Sequence, residues 1–189
     1  MALLSLATPW SRCGALLLAL LALLAPRAGA AEVSREFRLK AAFLFNFTQF
    51  VEWPAEAFAS PEAPIRIGVL GSDPFGPALD EVVRGETVRG RPLEVVRAAR
   101  PEELRGCHLV FVGDSEKERT AAVVGALSDL PVLTVSDNPG FAAAGGVVRF
   151  FLEGAKVRFE INPDAAEHHR LKLSAQLLAL GRLVPRATR

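Results

Sequence analysis

Three groups of side chains in this sequence have the types and spacing that chemistry requires. Cys107-His108 sets a thiol beside an imidazole, the makings of a nucleophile and its base. His168-His169, with Asp164 and Glu160 close by in sequence, offers nitrogen and oxygen ligands for a metal ion. The turn GSDPFG at residues 71–76 and the pair Ser136-Asp137 place polar groups where an apolar run gives way to a loop. Spacing weakens each of them. Consecutive residues of a strand point to opposite faces, so Cys107 and His108 do not readily meet. Consecutive residues of a helix diverge by about 100°, which separates His168 from His169. Asp164 and His168 share a face, but with Glu160 they make an open set of two or three ligands, not a closed one. The turn matches neither G-x-G-x-x-G nor a Walker loop. Its Asp73 sets negative charge where a phosphate wants amide donors. A local cap by Asp73, with Phe75 tucked under a sheet edge, is the favoured account. Ser136-Asp137 ends a predicted strand at the edge where open α/β sheets take ligands, although capping explains the pair as well. No G-x-S-x-G elbow is present. The sequence therefore reads as a non-enzyme with no cofactor and no metal centre, and Asp73, Phe75, Ser136 and Asp137 remain as ligand-binding candidates.

Two other stretches suggest contact with a macromolecule. Residues 34–54, SREFRLKAAFLFNFTQFVEWP, hold five of the twelve phenylalanines. Phe37, Ala41, Leu44 and Val51 recur at helical spacing, and Phe43, Phe47 and Phe50 form an adjacent stripe. Such a helix is apolar over most of its circumference, so it is either buried or waiting for a partner. Near the other end, residues 147–152 and 155–161 form a predicted hairpin whose second strand alternates Val157, Phe159 and Ile161 with Lys156, Arg158 and Glu160. One face is buried and the other carries charge. Arg149, Phe151, Arg158 and Glu160 on that face, with Phe43 and Phe47 on the helix, are the candidate partner contacts, because arginine and aromatic side chains are enriched in interfaces. Core packing and ordinary solvated surface are the plainer accounts of the two stretches.

The elements that hold these groups follow from pattern and punctuation. Arg12, the apolar run at residues 14–25 and Ala28-Gly29-Ala30 read as an export signal cleaved after Ala30, leaving residues 31–189 as one domain. The run is shorter than the roughly 18 residues a membrane helix needs. A formal charge of +1 lacks the concentrated basic surface of a nucleic-acid binder. Cys107 alone survives cleavage, so the mature chain has no internal disulfide; its place beside an apolar run favours burial. Strands are predicted at residues 65–70, 92–97, 108–112, 131–135, 147–152 and 155–161. Helices are predicted at 34–54, 77–84 and 116–127, the last capped by Ser115, with a terminal helix running from Asn162-Pro163 to about Arg182. Short apolar strands alternating with helices predict an α/β fold: a single domain with a mostly parallel sheet of about six strands flanked by helices, closed by a C-terminal hairpin and helix.

Several motifs recur together in order: KAAFLFNFTQFVEWP at 40–54, VLGSDPFG at 69–76, CHLVFV at 107–112, LTVSDNPGFAAAGGVVRF at 133–150, and KVRFEINPDAA with LKLSAQLLAL over 156–180. In this combination the chain resembles the YfiR family. The resemblance implies a periplasmic α/β protein without enzymatic activity. It would repress the periplasmic sensor part of an inner-membrane diguanylate cyclase, and so control cyclic-di-GMP and biofilm formation. It also implies an outer-membrane-associated partner that sequesters the repressor, and a homodimer. The best-known member has internal disulfides linked to stability and redox control; with Cys107 alone, that control does not carry over. The alternative from the residues themselves is a periplasmic small-ligand-binding protein, using the loops at 71–75, 113–115 and 136–140.

Overall fold

The computed structural model describes residues 28–185. Most of the expected export signal, residues 1–27, lies outside the described residues. From Ser34 onward the chain packs as one compact unit.

Helix α1 spans Ala28–Phe50. Its inner stripe of Ala41, Leu44 and Phe47 is buried, as is Val51 just beyond it. The helix was expected to run to the Trp53-Pro54 stop. It ends sooner because Val51–Glu52 (β1) leaves it to pair antiparallel with Lys172–Leu173 (β9).

The main sheet contains the six expected strands: Ile65–Leu70 (β2), Arg91–Ala98 (β4), Leu109–Val112 (β5), Leu133–Ser136 (β6), Val148–Glu153 (β7) and Lys156–Ile161 (β8). Two-residue strands Thr87–Val88 (β3) and Arg182–Leu183 (β10) add the edges of an eight-stranded sheet. The order is β10-β8-β7-β6-β5-β2-β4-β3. Pairing is parallel from β4 through β2, β5 and β6 to β7, antiparallel for β7–β8 and β3–β4, and parallel again for β8–β10. The five central strands thus follow the doubly wound order 2-1-3-4-5, with its switch point between β2 and β5. β3 turns into β4 through Arg89 and Gly90, both at positive φ, as a type I′ hairpin turn requires.

Both faces of the sheet are covered. On one, α1, Phe75 and the helix Pro77–Val83 (α2) join Ala165, Leu171 and Leu177 over Ile67, Val69, Phe111, Val135, Phe150 and Phe159. On the other, the helix Thr120–Leu127 (α3), Leu104 and Phe141 cover Leu70, Val110, Val112 and Val132. β5 feeds both layers and is buried along its whole length. Each such fully buried apolar side chain is worth about 1.5–3 kcal/mol. Gly146 is required by the second layer: a Cβ there would lie 2.1 Å from the Phe141 ring.

Two expectations are corrected. The terminal helix is not continuous. It consists of Pro163–His168 (α4), capped by Asn162, and Ala175–Leu180 (α5), capped by Ser174. Arg170 takes a φ of 57°, in the left-handed region that ends helices, and this swings Leu171 into the core and Lys172–Leu173 alongside β1. Ser115 does not cap a helix at 116. A 3₁₀ stretch, Asp114–Arg119, comes first, and the Ser115 Oγ accepts a hydrogen bond from Ser72 N at 2.9 Å.

Candidate functional site

The outer face of the β7–β8 hairpin gathers four of the six proposed contacts. Register sets Arg149 opposite Glu160 and Phe151 opposite Arg158, all on one face. Arg149 Nε donates to Glu160 Oε1 at 2.6 Å. Arg182, brought alongside by β10, donates to the other oxygen, Oε2, at 2.7 Å. The Arg149 hydrogen bond, with that of Arg182, holds the Glu160 carboxyl below its ordinary range against the opposing effect of burial. Both guanidinium groups also approach the Phe151 ring, Arg182 at 4.4 Å from the centroid and Arg149 at 5.4 Å. Arg158 is exposed and reaches Glu153 at 3.3 Å. The result is a half-buried aromatic ring between two arginines, with its charges fixed by one carboxylate, on an exposed rim.

Phe43 and Phe47 do not join that face. They lie behind it, with ring centroids 5.1–5.8 Å from Phe150 and Phe159 on the buried side of the same hairpin. Phe43 is half-buried. Phe47 is 1 % exposed, which corrects its place among the contact residues: its ring supports the hairpin from the core and touches nothing outside.

Two crevices lie at the carboxyl ends of the strands, and of the four ligand-binding candidates only Asp137 lines one of them; Asp73, Phe75 and Ser136 sit behind the walls. One, of about 510 Å³, sits at the switch point, between Ser72, Arg97, Ser115 and Glu116. Its polar groups are mutually satisfied. Asp73 Oδ1 accepts from Phe75 N and Gly76 N, and its Oδ2 from Arg97 Nε at 2.6 Å. Gly113 N donates to Leu70 O at 3.0 Å. Gly71, at a φ of 78°, leaves no space beside Ser115, whose Oγ would lie 2.2 Å from an added Cβ. Phe75 is buried against Phe37 and Phe111. The amides that a phosphate would need are taken.

The other crevice, of about 450 Å³, lies where α1 meets the ends of β6 and β7. Ser136 is fully buried; its Oγ donates to Val112 O at 2.7 Å and accepts from Asn138 N at 3.1 Å. Asp137 receives the Lys40 ammonium at 2.7 Å, and Glu36, one helical turn before Lys40, reaches the same ammonium at 2.5 Å. The Lys40 side chain is only 4 % exposed and also lies over the Phe37 ring. Sequence reasoning missed Lys40, Asn138 and Arg182. The available signal was Lys40 itself, a charged residue one position from Ala41 on the buried arc of α1.

Cys107 and His108 serve structure. The thiol is buried, and desolvation pushes it up to about 11. The His108 ring accepts from Arg66 N at 3.0 Å through Nδ1, lies 3.2 Å from Ala57 O through Nε2, and stacks on Phe58. Burial pushes its pKa down to about 4. His169 is buried with Nδ1 2.8 Å from Leu130 O, while His168 is exposed. Among the described residues no three His, Cys, Asp or Glu side chains converge on one point. No helix among the described residues is long and apolar enough to cross a membrane.

Comparison with solved structures returns α/β domains at low identity. A conserved domain protein from Vibrio cholerae O1 biovar El Tor superposes with a TM-score of 0.48 and 10 % identity, over 64 % of this chain and 54 % of that one. An ABC domain in complex with L-Trp from Streptococcus pneumoniae superposes with a TM-score of 0.47 and 11 % identity, over 64 % and 55 %. The chain thus spans about half the length of each. The family profile described as YfiR/HmsC-like matches residues 37–182, from the first turns of the buried part of α1 to the arginine that completes the hairpin face. The chain belongs to the YfiR/HmsC-like family.

Proposed function

We propose that this protein is a periplasmic regulator that binds and represses the periplasmic sensor region of an inner-membrane diguanylate cyclase, and so lowers cyclic-di-GMP output and biofilm formation. The observation that carries this reading is the family match across nearly all of the folded unit. The family is regulatory rather than catalytic, and its members act on diguanylate cyclase signalling from the periplasm. Binding one state of the sensor more tightly than another shifts its equilibrium by that difference in affinity.

The contact surface in this proposal is the outer hairpin face: Arg149, Phe151, Arg158 and Glu160, with Arg182 added and Phe43 flanking from behind. A buried-edge aromatic held between arginines loses little side-chain entropy on docking, a feature of residues that dominate interfaces. An outer-membrane-associated partner that sequesters the protein, and a homodimer, belong to the same proposal. The test is capture of the purified protein on detergent-solubilised membranes of its host, followed by mass spectrometry. A membrane protein with a periplasmic sensor and a cyclase output is the expected catch. The double variant Phe151→Ala, Arg158→Glu should lose it while keeping its melting temperature; retention by a folded double variant removes the hairpin face from the proposal.

A further inference from the structure

We infer that the outer face of the β7–β8 hairpin docks an acidic segment of a partner protein, an inference that rests on the regulatory reading and names the chemistry of the surface its partner presents. Register explains why this face is bare. Val112, Ser136, Arg149, Glu160 and Arg182 form one row across β5, β6, β7, β8 and β10. Residues of one row share a face, because side chains alternate along each strand. α3 covers that face over Val112, whereas α1, α2, α4 and α5 pack in the other layer. β6 pairs with β7 only at Val148 and Arg149, so the hairpin beyond them projects past the end of β6. No helix among the described residues covers its outer side.

The bare face is positive. Arg149, Lys156, Arg158 and Arg182 stand against two carboxylates, Glu153 and Glu160, and leave a surplus of positive charge. The central carboxylate is also recessed: the Glu160 side chain is 14 % exposed, against 61 % for Arg182. Both Glu160 oxygens are taken, Oε1 by Arg149 Nε and Oε2 by an Arg182 Nη. A guanidinium carries several N–H donors, and each of these arginines spends one on Glu160, so the rest face outward around the Phe151 ring. Arg158 likewise gives only its Nε to Glu153 at the exposed tip. The acidic groups nearest the Arg149 end are engaged elsewhere, Asp137 with Lys40 at 2.7 Å and Asp114 with Lys117 at 3.7 Å. Planar guanidinium forks that are already oriented suit carboxylates, which accept two parallel hydrogen bonds.

A lipid surface would offer anions too, but it takes apolar side chains that insert between headgroups. The outer hairpin face has none to offer, since its one ring, Phe151, is half-buried between the arginines. The exposed leucines of this end, Leu152 and Leu183, lie on the opposite face, Leu152 in step with buried Phe150 and Leu183 level with buried Ile161. Protein carboxylates therefore fit the face better than lipid phosphates do.

Titration of the isotope-labelled protein with an acetylated, amidated peptide of sequence EDFEE tests the inference by NMR, against QNFQQ as its uncharged counterpart and phosphatidylglycerol vesicles as the lipid source. The expected result is saturable shifts of the Arg149, Arg158 and Arg182 Nε–H resonances, with QNFQQ bound about tenfold more weakly. Raising salt from about 0.05 to about 0.5 M should weaken EDFEE by a similar factor. Arg158→Gln with Arg182→Gln should also weaken it about tenfold at an unchanged melting temperature. Should that double variant lose its fold, Glu153→Gln, which removes a carboxylate at the exposed tip, should tighten EDFEE about threefold. The inference is overturned by absence of these shifts, by equal affinity for QNFQQ, by insensitivity to salt, by binding of the vesicles in preference to the peptide, or by unchanged peptide affinity in a folded variant. Capture of a membrane cyclase that persists at high salt in the arginine double variant would sink the acidic surface and leave the regulatory reading standing. Capture of no cyclase, with EDFEE bound as expected, would do the reverse.

Discussion

At the amino end of the parallel sheet, His108 is buried and neutral, with both ring nitrogens on backbone groups, Nδ1 on Arg66 N and Nε2 on Ala57 O, while Trp53 Nε1 donates to its carbonyl at 2.8 Å. At the carboxyl end, Lys40 is equally buried but faces two carboxylates, Glu36 and Asp137. One end is sealed by the segment that follows α1, which lays Trp53 and Phe58 on the histidine. The other stays open as a crevice. The difference shows how partners set the state of a buried basic group. Backbone dipoles do not repay the desolvation of an imidazolium, so the histidine discharges. Paired carboxylates do repay an ammonium. A discharged group is framework; a charge-paired one ties α1 to the end of β6.

The comparison breaks most visibly at Lys40. Lys40→Met leaves Glu36 and Asp137 facing each other beneath α1 without their cation, and should cost about 3–5 kcal/mol in urea denaturation at pH 7. A loss below 1 kcal/mol would mean that the two carboxylates do not depend on the lysine. At the sealed end the signature is pH. His108 has an ordinary pKa of 6.5 and about 4 in the fold, so between these values the unfolded chain takes up a proton that the folded chain refuses. Its contribution is therefore complete above pH 6.5 and is lost as pH falls toward 4, by up to about 3 kcal/mol. His108→Gln should flatten most of that limb, leaving what His169, also depressed by burial, contributes. A stability profile with the same slope in both proteins would contradict the neutral, sealed histidine. The smallest effect is expected at the lid of the sealed end. Trp53→Phe keeps the aromatic surface and removes only the indole donor, for about 1 kcal/mol. The His108 carbonyl still accepts from Leu133 N at 2.8 Å. A larger loss would show that the lid, rather than the ring contacts, holds that end shut.

The same contrast governs what could be seen before folding. All six principal strands stood out as short apolar runs, and β8 announced its one buried face by strict alternation. The hairpin charges Arg149, Arg158 and Glu160 were placed on the correct face by that period of two. Phe47 was ambiguous, because a stripe apolar over most of a helix does not say which part meets the sheet. The break at Arg170 was invisible: no glycine or proline marks it, although the arginine sits at positive φ just before the buried Leu171.

Alone, the sequence determined the six principal strands, their order along the chain and the inward face of β8, because hydrophobic period and turn residues are local properties. It did not determine neighbours. Strand order 2-1-3-4-5, the meeting of Lys40 with Asp137 across 97 residues, and the arrival of Arg182 beside Phe151 and Glu160 were decided by the tertiary structure. Those contacts depend on which surfaces close over one another, and burial, which sets their charge and strength, exists only once the layers have packed.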